Sequence, residues 1–260
     1  IYLDTNILID LLCEKSRRIF HETATKLIRF MKYLGIEMRF TKRTSEEFRR
    51  RISISNEIIR QIGSDAKKRK LLEYADDPFI QEYSEKLKEM PSLTWEGFIG
   101  KIKNFAKILE RKYGIIYDGS DYAEIMNDPR FSEVSKLISE SNREKPAPLV
   151  EHDCFHILLV DMLRSKLTQP TIVPKFWFVT RDKTVCLADQ MRLLSEGREE
   201  NAQKRPSSIL IDVWLQMTSP FLSPELATRE ASRAFSQIFS SNFLPSYPRM
   251  RPQLLVEVLS

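Results

Sequence analysis

The sequence predicts an α/β fold, and three observations carry that prediction. Short apolar, β-prone runs stop at polar residues; stretches with apolar residues at helical spacing follow them; over residues 1–62 the two kinds alternate in the order βααβα. At 260 residues the chain can bury a sizeable core, either in one large α/β domain or in a smaller one carrying a helical insertion.

Taken in order, Ile1-Tyr2-Leu3-Asp4 reads as a strand already in its middle, as a chain trimmed at its start would look. Thr5 and Asn6 supply capping side chains before Ile7, Leu8, Leu11 and Leu12, which recur at helical spacing. A second helix, Arg18 to Tyr33, places Ile19, Ala24, Leu27, Ile28 and Met31 on one face, with Gly35 where a C-terminal cap belongs. Ile36 to Phe40 is the next strand. Thr44 then opens a helix whose Phe48, Ile52, Ile59 and Ile62 form a buried stripe.

From Asp65 to Lys145 the chain is dense in Lys, Glu and Arg, and Leu71, Phe79, Leu87, Phe98, Phe105 and Leu109 fall at helical spacing. This predicts a helical insertion over 63–147, closed by the polar connector Ser141 to Pro148. An apolar helix, Leu149 to Leu163, follows. The run Ile172 to Thr180 carries a strand at Phe176 to Thr180, then come a helix near Thr184 to Leu194, a polar loop Glu196 to Pro206 and a last strand, Ile209 to Ile211. The main domain is thus expected over 1–62 and 148–218, with 219–260 as a C-terminal extension.

Composition narrows the function classes. No stretch approaches the roughly 18 apolar residues of a membrane span and no secretory signal is visible, so a cytoplasmic protein without a membrane partner is expected. Cys13, Cys154 and Cys186 lack C-x-x-C spacing and read as small buried hydrophobes, neither a disulfide framework nor a zinc site. No glycine-rich phosphate loop occurs, which disfavours nucleotide-driven work. The formal net charge is +5, and residues 41–70 carry it, with ten Lys or Arg against four acids. Such a run is either a solvated helix face or a polyanion contact. Trp95, Phe98, Phe105, Tyr113 and Tyr117 lie among basic residues and read as core rather than as base-stacking platforms.

The acids that fall at element ends are more specific. In an open α/β sheet, ligands bind beyond the carboxyl ends of the parallel strands. Asp4 ends the first strand, Glu46 and Glu47 lie in the first turn of the third helix, Asp153 lies in the first turn of the late apolar helix, and Asp182 follows the strand ending at Thr180. Four such acids in one place would repel unless a divalent cation neutralised them, and hard ions such as Mg²⁺ or Mn²⁺ prefer oxygen ligands. Each acid also has a local explanation: Thr44-Ser45-Glu46-Glu47 fits a capping box, Asp153 suits the helix dipole, and Asp182 suits a turn. Those local roles do not account for all four facing one sheet edge. His152 and His156 have the four-residue spacing of helical zinc pairs, but the general-base Glu is replaced by Asp153 and no third ligand is apparent.

Ile1-Tyr2-Leu3-Asp4-Thr5-Asn6-Ile7-Leu8, Thr44-Ser45-Glu46-Glu47-Phe48, Glu151-His152-Asp153-Cys154-Phe155-His156 and Phe178-Val179-Thr180-Arg181-Asp182-Lys183 resemble, in order, the successive acidic motifs of PIN domains. The resemblance covers residues 1–62 and 148–212. It implies a three-layer α/β/α sandwich with a central, mostly parallel sheet, and a metal-dependent endoribonuclease that hydrolyses RNA phosphodiester bonds. Asp4, Glu47, Asp153 and Asp182 would be the catalytic and metal-binding quartet, with Asn6 and Thr180 as supporting polar groups. Glu47 is preferred over Glu46 because the family's glutamate is usually followed by an apolar residue, here Phe48. One ion would lower the pKa of a bound water and a second would stabilise the leaving oxygen. Lys42, Arg43, Arg50 and Arg51, beside Glu47, would track the phosphate backbone. The alternative is a PIN-fold RNA-binding or scaffold protein that does not cut. Dimerisation is common in that family, and the long insertion points to a dedicated substrate or protein partner.

Overall fold

Five short strands, β1 (Tyr2–Leu3), β2 (Met38–Thr41), β3 (Ile115–Asp118), β4 (Phe178–Thr180) and β5 (Ser208–Leu210), pair into one sheet in the order β3-β2-β1-β4-β5. Among the described residues every pairing is parallel, so the sheet is wholly rather than mostly parallel there, in an α/β architecture consistent with a three-layer α/β/α sandwich. The computed structural model describes residues 1–62, 72, 75–167, 175–195 and 205–218. Leu71, the first part of the Ile172 to Thr180 run, most of the Glu196 to Pro206 loop and the tail from Pro220 lie outside the described residues. Among the described residues no helix is long and apolar enough to cross a membrane.

The helices are α1 (Thr5–Leu12), α2 (Arg18–Tyr33), α3 (Lys42–Ile62), α4 (Pro78–Glu89), α5 (Trp95–Ile102), α6 (Phe105–Ile108, running into a π turn Leu109–Tyr113), α7 (Ala123–Met126), α8 (Phe131–Ser141), α9 (Ala147–Ser165), α10 (Lys183–Ser195) and α11 (Ile211–Thr218). They and the strands divide into two compact units. The first, Ile1–Ile7, Met31–Glu47 and Gly114–Leu222, holds the whole sheet. The second, Leu8–Phe30, Phe48–Tyr113 and Ser223–Ser260, is built of helices in its described part. The division differs from the expected one: the helical unit takes in residues 8–30 and 48–62, and the expected insertion gives up residues 114–147, which include β3, to the sheet unit. That strand, only four residues long and exposed at Ile116 and Tyr117, has no apolar alternation to announce it.

Strand order reverses at β1, which lies between β2 and β4, so the sheet has a switch point at the carboxyl ends of β1 and β4. The central strands are buried throughout. On one side, Phe155, Ile157, Leu158, Leu159 and Val160 of α9 pack with Tyr2 and Phe178 of the sheet, Val134 and Ile138 of α8, and Val185 and Ala188 of α10. Full burial of each large apolar side chain contributes about 1.5–3 kcal/mol. Helix α9 is buried continuously from His152 to Val160, so its polar residues in that span are internal and must find partners.

Buried charge ties the same unit together. The Arg192 guanidinium, 1% exposed, reaches Asp189 Oδ1 at 2.8 Å and Asp161 Oδ2 at 2.7 Å. Ser207 Oγ donates to Asp161 and the Ser208 amide donates to Asp189, which fixes the start of β5. Helix ends follow local chemistry with small shifts from expectation. Gly35 adopts φ +64, and the amides of Gly35 and Ile36 donate to the carbonyls of Lys32 and Met31, a Schellman closure that consumes Ile36 and delays β2 to Met38. Thr41, not Thr44, caps α3: its Oγ1 accepts from the Thr44 amide at 3.2 Å, and α3 starts at Lys42. The expected capping box is therefore absent, and Glu47 is available for other contacts. The last strand ends at Leu210 because Ile211 already begins α11.

In the helical unit, Phe48 stacks on Phe105 with centroids 4.2 Å apart and meets Phe79 edge-on, while Tyr83, Trp95 and Phe98 form a second aromatic group. Asp77 caps α4 through the amides of Phe79 and Ile80, and Pro78 takes the first-turn position that needs no donor. Trp95, Phe98, Phe105 and Tyr113 are core, as expected; Tyr117, in the sheet unit, is exposed beside Phe40. The three cysteines are free and buried.

Candidate metal centre

The carboxyl end of β1 delivers Asp4 to the switch point, because the Asp4 amide continues the parallel ladder by donating to the Val179 carbonyl at 3.0 Å. Its side chain is buried, and Oδ2 accepts from Asn6 Nδ2 at 2.6 Å and from Thr180 Oγ1 at 2.5 Å. The two residues read from sequence as supporting groups both orient this carboxylate. Thr5 does not act as a helix cap; its hydroxyl donates to Glu47 Oε2 at 2.7 Å. Starting α3 at Lys42 turns Glu47 inward and leaves Glu46 exposed, which separates two acids that are adjacent in sequence.

Sequence reasoning missed the third member of this group. His152, in the second turn of α9, sets Nε2 3.2 Å from Glu47 Oε2 and Nδ1 3.2 Å from Asp153 Oδ1. Asp4, Glu47 and His152 each offer a ligand atom, and those atoms lie within 4.8 Å of one another. The signal was present in the motif beside Asp153, but there His152 was read only as half of a zinc pair with His156. That pair does not form a site. His156 Nδ1 donates to the His152 carbonyl at 2.7 Å, its Nε2 accepts from the hydroxyls of Thr41 and Thr44, and its ring stacks on Phe178. Burial together with the nearby His152 holds His156 well below the ordinary imidazole value, so it is a neutral packed residue.

Asp153 and Asp182 have a different neighbour. Lys145, only 8% exposed, forms an ion pair with Asp153 Oδ2 and places Nζ 2.6 Å from Asp182 Oδ2. Asp182 Oδ1 meanwhile caps α10, accepting from the Thr184 amide at 2.8 Å and the Thr184 hydroxyl at 2.6 Å. The four acids expected at one edge are therefore at that edge, but in two groups: Asp4 and Glu47 around His152, and Asp153 and Asp182 around Lys145. Lys145 sits in the polar connector, where nothing in the sequence distinguishes it from its neighbours.

No family model, curated protein or solved structure matches the chain. The functional reading therefore rests on the chemistry of these side chains.

That chemistry is strongly electrostatic. Burial pushes the Asp4 carboxyl up to about 7, with Asp153 and Glu47 adding to the rise and His152 and Thr180 opposing it. Burial also works against a charged His152, but Glu47, Asp153 and Asp4 together outweigh it and hold the imidazole above its usual value. The same balance, burial against Asp153 and Asp182, leaves Lys145 raised and charged. Burial would raise Asp182, but Lys145 and Thr184 bring it below the usual carboxylate range. Asp4 and Glu47 repel one another in a buried site, and a divalent cation taking the place of the His152 proton would relieve them, so the residues present fit such an ion.

The basic residues are divided. Lys42 faces Asp121 at 3.6 Å, and the Arg43 guanidinium lies 5.1 Å over the Phe155 ring; both line a cleft of about 100 Å³ with Thr41, Glu46 and Ser120. Arg50 and Arg51 belong to the helical unit, where Arg51 acts electrostatically on Asp77. A larger cavity, about 970 Å³, opens among Ile1, Glu37, Trp177 and Arg205, at the amino ends of the strands and away from the acids.

Proposed function

We propose that this protein is a metal-dependent endoribonuclease of the PIN type, hydrolysing RNA phosphodiester bonds. The observation that carries the reading is the buried trio Asp4, Glu47 and His152 at the switch point of a parallel sheet, its ligand atoms within 4.8 Å of one another. These three residues would hold the ion. The imidazole favours Mn²⁺, which accepts mixed oxygen and nitrogen donors, over the more strictly oxygen-seeking Mg²⁺. When bound, a divalent ion supplies a water acidic enough to ionise near neutrality and positive charge for the phosphoryl oxygens.

The chain's own residues set the stage for that chemistry. Asn6 and Thr180 fix the Asp4 carboxylate and Thr5 fixes Glu47, so the trio does not have to reorganise. Lys145 offsets one of the two charges of Asp153 and Asp182, which lowers the repulsion an incoming phosphate would meet. Lys42 and Arg43 are the sheet-unit cations that would follow the RNA backbone. The test is cleavage of end-labelled single-stranded RNA in Mn²⁺ or Mg²⁺ by the wild type and by Asp4→Asn. Loss of turnover in the variant supports the assignment, whereas equal turnover by both proteins sinks it.

A second reading has its own observation. His152 and Lys145 give the acids internal counter-charge, which is what a PIN-fold RNA-binding or scaffold protein that no longer cuts would need. It is distinguished by RNA binding that persists in EDTA with no cleavage when Mn²⁺ is added.

A further inference from the structure

We infer that Lys145 is a resident cation in the place of a second divalent ion, confining metal binding to one ion at Asp4, Glu47 and His152. The inference rests on the metal-site reading above and concerns how many ions that site admits.

Sites with two ions hold them roughly 4 Å apart, sharing carboxylates between them. Here each oxygen of the second pair of acids already faces a partner. Asp153 Oδ1 faces His152 and its Oδ2 faces Lys145; Asp182 Oδ1 is spent on the cap of α10 and its Oδ2 faces Lys145. The ammonium is thus enclosed by the two carboxylates an additional ion would require, and an ion could enter only by expelling it. Lys145 is also held from behind. Its amide donates to the Asn142 carbonyl at 3.1 Å, and Pro146, in extended backbone at φ −59 and ψ 140, leads directly into α9, which carries both His152 and Asp153. The lysine is therefore a positioning residue, built into the helix start that also presents its partners. A monovalent ammonium fixed by the chain replaces an exchangeable divalent ion, and the buried acids keep a counter-charge at every metal concentration.

The experiment counts Mn²⁺ bound per chain by calorimetric titration, with the electron paramagnetic resonance of free Mn²⁺ as a cross-check. Wild type and Lys145→Arg should bind one ion, Lys145→Gln two, and Asp4→Asn none. A lysine with only a structural role would leave the count unchanged. Two ions in wild type, or one ion in a Lys145→Gln protein that melts as cooperatively as wild type, overturns the inference. Should Lys145→Gln fail to fold, Asp182→Asn decides: the single ion is retained if Asp182 serves the lysine, and its loss overturns the inference. A wild type that binds no Mn²⁺ overturns the metal-site reading itself, and the inference with it, by a result distinct from all the others.

Discussion

Replacing Asp4 with Asn should stabilise the metal-free protein. Asp4 is 5% exposed, and burial with Asp153 and Glu47 nearby raises its carboxyl from an ordinary value of ~3.9 to about 7. The sign follows from linkage: a carboxyl raised in the folded state contributes its stability below pH ~3.9 and loses it as pH rises through about 7. At ~1.36 kcal/mol per tenfold change in the ionisation constant, the charged form costs the fold up to ~4 kcal/mol above pH 7. Asparagine removes that charge and keeps an acceptor oxygen for Asn6 and Thr180. For a chain of this size the gain corresponds to a melting shift on the order of 10 °C. The assay is thermal unfolding by circular dichroism in EDTA between pH 4 and 8, run on both proteins. The two should converge near pH 4 and diverge as pH rises, with Asp4→Asn the more stable. Mn²⁺ should then narrow the gap by raising wild type alone, by ~2.7 kcal/mol at a hundred times the dissociation constant. A difference that does not depend on pH, or a variant less stable than wild type at pH 8 in EDTA, would show that the Asp4 charge does not burden the fold.

Two further outcomes probe the scaffold. Arg192→Met should cost about 3–5 kcal/mol in urea titration, because Asp161 and Asp189 lose their shared buried partner. Burial would raise Asp161, but Arg192, Ser207 and Arg130 hold it below the usual range, so its stability is present above pH ~3.9 and lost as pH falls through the lower folded value. The acid limb of the stability curve should therefore flatten in Arg192→Met. Phe48→Ala should cost about 3–5 kcal/mol by removing the stack on Phe105 and the edge contact with Phe79 from the helical unit, read as a fall in the urea midpoint.

The α/β class was legible because apolar runs followed by helical periodicity are local signals, and β1, β2, β4 and β5 each lie within two residues of where the sequence places them. Gly35 announced the end of α2 by its own conformational freedom. Strand β3 was not legible, since a short edge strand between helices has no periodicity of its own and forms because β2 offers a free ladder. The cap of α3 moved from Thr44 to Thr41 for a tertiary reason: both hydroxyls serve His156, which is 115 residues from Thr41 and 112 from Thr44 in sequence.

Asp4, Glu47, Asp153 and Asp182 could be picked from sequence because strand ends and helix starts in a parallel sheet converge on one edge, and acids at those ends stand out. Sequence alone thus picked out four carboxylates at that edge and passed over Asp118, the last residue of β3, along with its strand. It did not determine how they divide. His152 and His156 share one face of α9 at any rotation, their rings 4.3 Å apart; that this face turns toward Glu47, Thr41 and Phe178 is set by packing on the sheet. Lys145 reaches Asp182, 37 residues away, only because the chain turns at Asn142 before entering α9. Counter-charge inside a buried site is a property of distance, and distance between residues remote in sequence is fixed by the fold.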